Sequence, residues 1–223
     1  MRIVIAGGHG KIALQLGTLL AARGDTAVGL IRDPAQQDDL RAAGMEPVVL
    51  DLEGADAEAV AKVLAGADAA VFAAGAGPSS GPARKDTVDR AGSVLLAQAC
   101  ELAGVDRFLQ VSSMGVESVR GTSPQPDDDV FAVYLRAKLA AEEDLRSRPL
   151  AWIVLRPGGL TDGPATGRVR LAPSVESGRV PRADVAAVLL ALLDAPSARG
   201  LVLELVGGDV PVADAVAAVV RPG

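Results

Sequence analysis

A chain of 223 residues, 49% hydrophobic, has the length for one substantial core but not for two ordinary domains of equal size. A net charge of −6, no basic run and only 2% aromatic residues exclude the electrostatic footprint and the stacking platforms of a nucleic-acid binder. One cysteine and one histidine, Cys100 and His9, make neither an internal disulfide nor an ordinary zinc site, and no stretch approaches ~18 uninterrupted apolar residues, so the expectation is a cytoplasmic, metal-free protein off the membrane.

The first apolar run, "RIVIA" at 2–6, reads as a strand, and "GGHGKIA" follows it where the strand turns into a helix over 11–22. Gly7, Gly10 and Ala13 fall in a G-x-x-G-x-x-A pattern. Gly7 suits a tight turn, Gly10 lets backbone approach a pyrophosphate at the helix start, and Ala13 permits close helix–strand packing. His9 and Lys11, inside the loop, either touch phosphate or point into water, and Ile12 is a cofactor candidate beside them. The second strand, "AVGLI" at 27–31, ends in "LIRDP". Asp33 before Pro34 reads as an N-cap of the helix over 34–43, which occupies its carboxylate with backbone donors. That leaves Arg32 for the extra phosphate of NADP, with NAD as the alternative cofactor and a partnerless exposed base as the bland reading.

"PVVL" at 47–50 and "AAVFAA" at 69–74 are the third and fourth strands, separated by a helix over 56–65. "GAGPSSGPAR" at 75–84 is expected to be a loop, before a helix over 86–103. The fifth strand, "RFLQV" at 107–111, runs into "SSMG", where the hydroxyl of Ser112 or Ser113 can donate to a carbonyl; which of the two does so stays open. The run Asp127, Asp128, Asp129 reads as a cap and solvated first turn of a helix over 130–146.

That helix holds "VYLRAKLA", with the single tyrosine and one of four lysines. Residues four apart share a helix face, so Tyr134 and Lys138 are neighbours. A phenol of pKa near 10 is protonated at neutral pH, and an adjacent ammonium favours its anion, bringing it towards the poise proton transfer needs. The same ammonium can bond a nicotinamide ribose. The competing reading is a half-buried tyrosine over an unrelated lysine.

A sixth strand, "WIVL" at 152–155, precedes a segment dense in Gly, Pro, Ser and Thr at 156–181, expected to be a second loop; a helix over 182–194, the strand "LVLEL" at 201–205 and a helix over 211–220 complete the chain. Seven strands alternating with helices, each apolar on both sides, call for a doubly wound α/β fold: a parallel sheet with helices on both faces, in one domain spanning 1–223. Both loops follow strand carboxyl ends, where ligands of open α/β sheets bind.

In the order loop, serine, tyrosine, lysine, the chain resembles the short-chain dehydrogenase/reductase superfamily, and specifically its atypical branch of small NAD(P)-binding proteins related to epimerases and to flavin or biliverdin reductases. "GGHGKIA", "LIRDP", "VVLDLEG", "VFAAGAG", "GVDRFLQVSSMG", "YLRAK", "LRPGGLTDGPATG" and "ADVAAVLLALLD" carry the resemblance nearly end to end. It implies an NAD(P)-binding Rossmann fold, adenine contacts from Asp51 and Leu52, a cofactor bed at Ala73, Ala74 and Gly75, and Pro157 near the nicotinamide. Without the resemblance these are a turn-capping Asp, a core Leu, small residues at a crowded sheet edge and a loop proline.

The resulting expectation is an NADP-dependent oxidoreductase of a small carbonyl, quinone or flavin-like compound, monomeric or homodimeric. The alternatives are an epimerase or dehydratase of the same fold, and a non-catalytic NADP-binding sensor.

Overall fold

A computed structural model describes residues 1–75, 77, 81, 84–123 and 129–220. In chain order it contains β1 (Arg2–Ala6), α1 (Lys11–Ala22), β2 (Thr26–Ile31), a short 3-10 turn (Pro34–Gln36) leading into α2 (Gln37–Ala42), β3 (Met45–Val49), α3 (Ala57–Leu64) and β4 (Ala69–Phe72). A π-helical stretch, Lys85–Ala91, then winds without a break into α4 (Gly92–Ala103), followed by β5 (Arg107–Val111) and a 3-10 turn (Val116–Val119). The remainder is α5 (Val130–Arg146), β6 (Ala151–Pro157), β7 (Gly159–Thr161), β8 (Arg168–Ala172), β9 (Arg179–Pro181), α6 (Arg182–Leu193), β10 (Leu201–Gly207), β11 (Val210–Pro211) and α7 (Val212–Val220).

Among the described residues, nine strands form one sheet in the order β11-β8-β10-β6-β5-β4-β1-β2-β3. The seven expected strands pair in parallel, β1 running between β2 and β4. Side chains alternate across it as a strand's two-residue period requires: Ile3 and Ile5 enter one core with α1 and α6, while Val4 and Ala6 enter the other with α3 and α4. This explains why the strands read as continuous apolar runs. It is a Rossmann-like α/β fold with helices on both faces.

The segment 156–181 differs from its expectation as a loop, because β7, β8 and β9 all lie in it. β8 is antiparallel to β10 and extends the sheet, and β7 pairs with β9. In "RVRLA" the alternation is visible after the fact: Val169 and Leu171 are buried, Arg168 and Arg170 exposed. Surrounding Gly and Pro masked a five-residue strand. Most of the expected loop at 75–84 lies outside the described residues, as do Asp127 and Asp128. Asp129 does cap α5, its carboxylate accepting from the Ala132 N–H at 2.6 Å. No helix among the described residues is long and apolar enough to cross a membrane.

Candidate functional site

β2 and β3 lie to one side of β1, and β4 to the other, so the chain reverses direction across the sheet between β1 and β4. A crevice opens beyond the carboxyl ends of strands at such a point. Gly7 turns the chain there with φ +78°, and a Cβ on it would stand 2.5 Å from the Ala74 Cα, so two backbones touch where only glycine fits. Gly10 precedes α1 with no side-chain cap, and no acidic residue lies in the first helical turn. The helix-start N–H groups, with the positive end of the helix dipole, are thus left for an anion. Gly8 has a different role, its added Cβ falling 2.7 Å from the Gly29 Cα, which makes it a packing glycine.

A cavity of 340 Å³ extends from this turn over Arg32, Asp51 and Leu52 to the wall formed by Ala73, Ala74 and Gly75. Asp33 caps the following turn, accepting from the Ala35 N–H at 2.9 Å. The exposed Arg32 reaches Glu53 only at 3.5 Å. Glu53 is held more closely by Arg84 at 2.7 Å and by the Thr87 hydroxyl at 2.6 Å, and the Arg84 contact keeps its carboxyl below the usual carboxylate range. Arg32 and Arg84 both line the cavity.

A second cavity, of 620 Å³, lies on the other side of that wall, and Ala73, Ala74 and Gly75 border both. Two helices present polar stripes along it and beneath it. From α5 come Tyr134, Lys138 and Glu142, one turn apart; from the π-helical stretch and α4 come Lys85, Asp89 and Ser93. The buried Lys138 ammonium is 3.1 Å from the Asp89 carboxylate and donates to the carbonyls of Ala74 at 3.3 Å and Val111 at 3.2 Å. Those contacts account for its three donors. Its Nζ stands 5.8 Å from the Tyr134 ring centroid, and Lys85 Nζ stands 5.5 Å from it. Among the described residues the Tyr134 hydroxyl has no hydrogen-bond partner, so it is open to a molecule in the cavity. Deeper, Ser112 donates its hydroxyl to Glu142 at 2.5 Å, and Arg156 bonds both oxygens of the same carboxylate.

A glycine turn, an open helix start and the first cavity have the shape of a cradle for an extended dinucleotide, and the second cavity adjoins it across one wall. Residues 7–196 match the NAD(P)H-binding family. The chain belongs to that family. The uncharacterized sugar epimerase YhfK of Bacillus subtilis is 32% identical over 216 residues, covering 96% of this chain and 98% of that one. A Bacillus halodurans structure named for an NAD-dependent epimerase/dehydratase superposes with a TM-score of 0.89 at 32% identity, covering 98% of this chain and 100% of the other. ChuY, an anaerobillin reductase of Escherichia coli, superposes with a TM-score of 0.77 at 27% identity, covering 94% and 98% of the two chains. The chain is an atypical short-chain dehydrogenase-like member of this family, which supports binding of a nicotinamide cofactor.

Most of the site residues expected from sequence converge. Gly7, His9, Gly10, Arg32, Asp51 and Leu52 line the first cavity, Ile12, Ser112, Tyr134 and Lys138 the second. Three stand apart from both cavities' described linings. Lys11 points outward to Asp162 at 2.7 Å, Ser113 donates to the carbonyl of Met114 at 3.0 Å, and Pro157 is buried in β6. His9 lines the first cavity while bonding Asp39 at 2.8 Å, and Asp51 also caps its own turn through the Glu53 N–H at 3.0 Å. Sequence reasoning missed Glu53, Arg84, Lys85, Asp89 and Arg182. The only signal for the two buried charges on one helix face was Lys85 and Asp89 four apart in "KDTVD".

Proposed function

We propose that the chain is an NADP(H)-dependent oxidoreductase acting on a small carbonyl-type compound, with Tyr134 as its proton donor. The observation that carries this reading is the Tyr134 hydroxyl, unpartnered among the described residues, facing a cavity that shares its wall with the nucleotide cradle. A bound dihydronicotinamide supplies hydride. Tyr134 gives its proton to the oxygen of the reduced group, and Lys138 stands one turn along the same helix face, 5.8 Å from the ring centroid. To bond the ribose, Lys138 must release one of its three present contacts. A serine hydroxyl has one hydrogen, and Ser112 spends it on Glu142. In this reading Ser112 steadies α5 against β5 and Tyr134 alone delivers the proton. The choice of NADP rests on Arg32 and Arg84 at the first cavity, with Asp33 occupied as a cap.

The test is cofactor absorbance at the nicotinamide band, followed with a panel of carbonyl, quinone and flavin compounds. NADPH oxidation that falls about 10²–10⁴-fold in Tyr134→Phe is the expected result. Product formation with no net cofactor consumption would make the protein an epimerase, as the names of its relatives suggest, and tight cofactor binding without turnover on any compound would make it a sensor.

A further inference from the structure

Four charged side chains border the second cavity: Lys85, Asp89, Lys138 and Arg182. Three have a carboxylate or ammonium partner. Lys138 pairs with Asp89 at 3.1 Å, and Arg182, at the rim, pairs with Asp162 at 2.5 Å. Lys85 is different. It is only 4% exposed, its ammonium donates to the Gly77 carbonyl at 2.5 Å and lies over the Tyr134 ring, and no carboxylate pairs with it among the described residues. An ammonium has three donors, and burying one without a counter-charge is costly. Apart from the hydroxyls of Ser112 and Tyr134, the remaining side chains of the lining are apolar, including Ile12, Val111 and Leu160, with Phe131 stacked on Tyr134 at 5.9 Å and left 59% exposed.

We infer that Lys85 receives a carboxylate of the substrate, so that the cavity takes an oxo carboxylic acid with an apolar or aryl body, its carbonyl at Tyr134 and its carboxylate one ring's breadth away at Lys85. This deepens the proposed function and rests on Tyr134 being the proton donor. Reduction then moves one hydride from NADPH to the carbonyl carbon and one proton from the Tyr134 phenol to the oxygen. The products are the hydroxy acid and NADP⁺, and water returns the proton to Tyr134. The substrate's carboxylate is unchanged and serves as the handle.

Phenylpyruvate and its methyl ester are a matched anionic and neutral pair for the test. Their affinities are measured by calorimetry on the NADP-loaded protein, its Lys85→Met variant and its Lys85→Arg variant, with NADP affinity measured alongside. The expected result is a preference for the acid that drops by about 10–100-fold in Lys85→Met and survives largely in Lys85→Arg. Three results would overturn the inference: equal binding of acid and ester to the unmutated protein, an unchanged preference in Lys85→Met, or a loss of NADP affinity in Lys85→Met as large as the loss for the acid. If circular dichroism shows Lys85→Met unfolded, the acid–ester comparison in the unmutated protein and in Lys85→Arg decides. Acid binding without NADPH oxidation defeats the oxidoreductase reading alone. NADPH oxidation on neutral and anionic carbonyls alike defeats the Lys85 assignment alone.

Discussion

Lys138 and Asp89 form a buried ion pair at 3.1 Å, joining α5 to the π-helical stretch directly below the cavity floor. Asp89 is fully buried and Lys138 nearly so. Removing one partner of such a pair leaves the other charge uncompensated, at a cost of about 3–5 kcal/mol, whereas replacing both with apolar groups is often neutral. Asp89→Leu should therefore lower the urea midpoint sharply, and Asp89→Leu with Lys138→Met should recover much of that loss. Losses from Asp89→Leu and Lys138→Met that simply add in the double variant would show that the two residues are not coupled.

In the proposed function, the preference for NADP rests on Arg32. With Asp33 engaged as a cap and Glu53 held mainly by Arg84 and Thr87, Arg32 has donors to spare for a ribose phosphate. NADPH should bind more tightly than NADH, and Arg32→Ala should narrow the gap by about 10–100-fold, the worth of a charge-assisted contact. Titration of both nucleotides by fluorescence checks this, and equal affinities in the unmutated protein would sink it.

Two glycines of the turn should fail in different ways. Gly10 has an ordinary φ of −64°, and a Cβ there has one tight contact, 3.1 Å to the Gly7 carbonyl oxygen, which a shift of a few tenths of an ångström relieves, so Gly10→Val should keep the fold at a small cost while its branched side chain blocks pyrophosphate. Gly7→Val meets both the left-handed φ and the Ala74 backbone, and should lose stability as well. Circular dichroism and nucleotide titration together separate the outcomes. Full affinity in Gly10→Val would misplace the phosphate site.

Much of this arrangement was legible in the chain, for identifiable reasons. β1 and β5 lie where their apolar runs begin and end, and α5 spans 130–146 because Asp129 caps it. Tyr134 and Lys138 were readable because four-residue spacing fixes a helix face. The strands in 156–181 were hidden because each is short and set among Gly and Pro. Lys85 and Asp89 escaped notice because nothing local shows that a charged helix start is buried; only packing against α5 does that. The roles of Ser112 and Ser113 depend on Glu142, thirty positions from Ser112, a contact that no local pattern announces.

Glu117 lies at the exposed end of the Arg156 network, bonded by Arg120 at 2.5 Å and Arg156 at 2.7 Å. The Arg120 contact, seconded by Arg156, draws its carboxyl from 4.5 down to about 2. A lowered folded pKa means the contribution is present above the unfolded value and lost as pH falls. Stability should therefore decline as the medium is acidified from pH 4.5 towards about 2. Solvent screening limits this residue's share to roughly 1 kcal/mol or less. Urea midpoints across that range should fall less steeply in Glu117→Gln, and an unchanged slope would mean that the ion pair contributes nothing.

Tyr134→Phe separates chemistry from packing most cleanly. The ring's contacts, stacking on Phe131 at 5.9 Å and the two ammonium groups of Lys85 and Lys138 over it, all survive the loss of the hydroxyl. That hydroxyl bonds no other described residue, so its removal strands no buried donor or acceptor, and the urea midpoint should stay nearly constant. NADPH affinity should stay within about threefold. Turnover, however, loses the group that delivers the proton, and general acid–base contributions of about 10²–10⁴-fold set the expected fall. Undiminished turnover would leave Tyr134 as part of a helix face and assign the proton to another group.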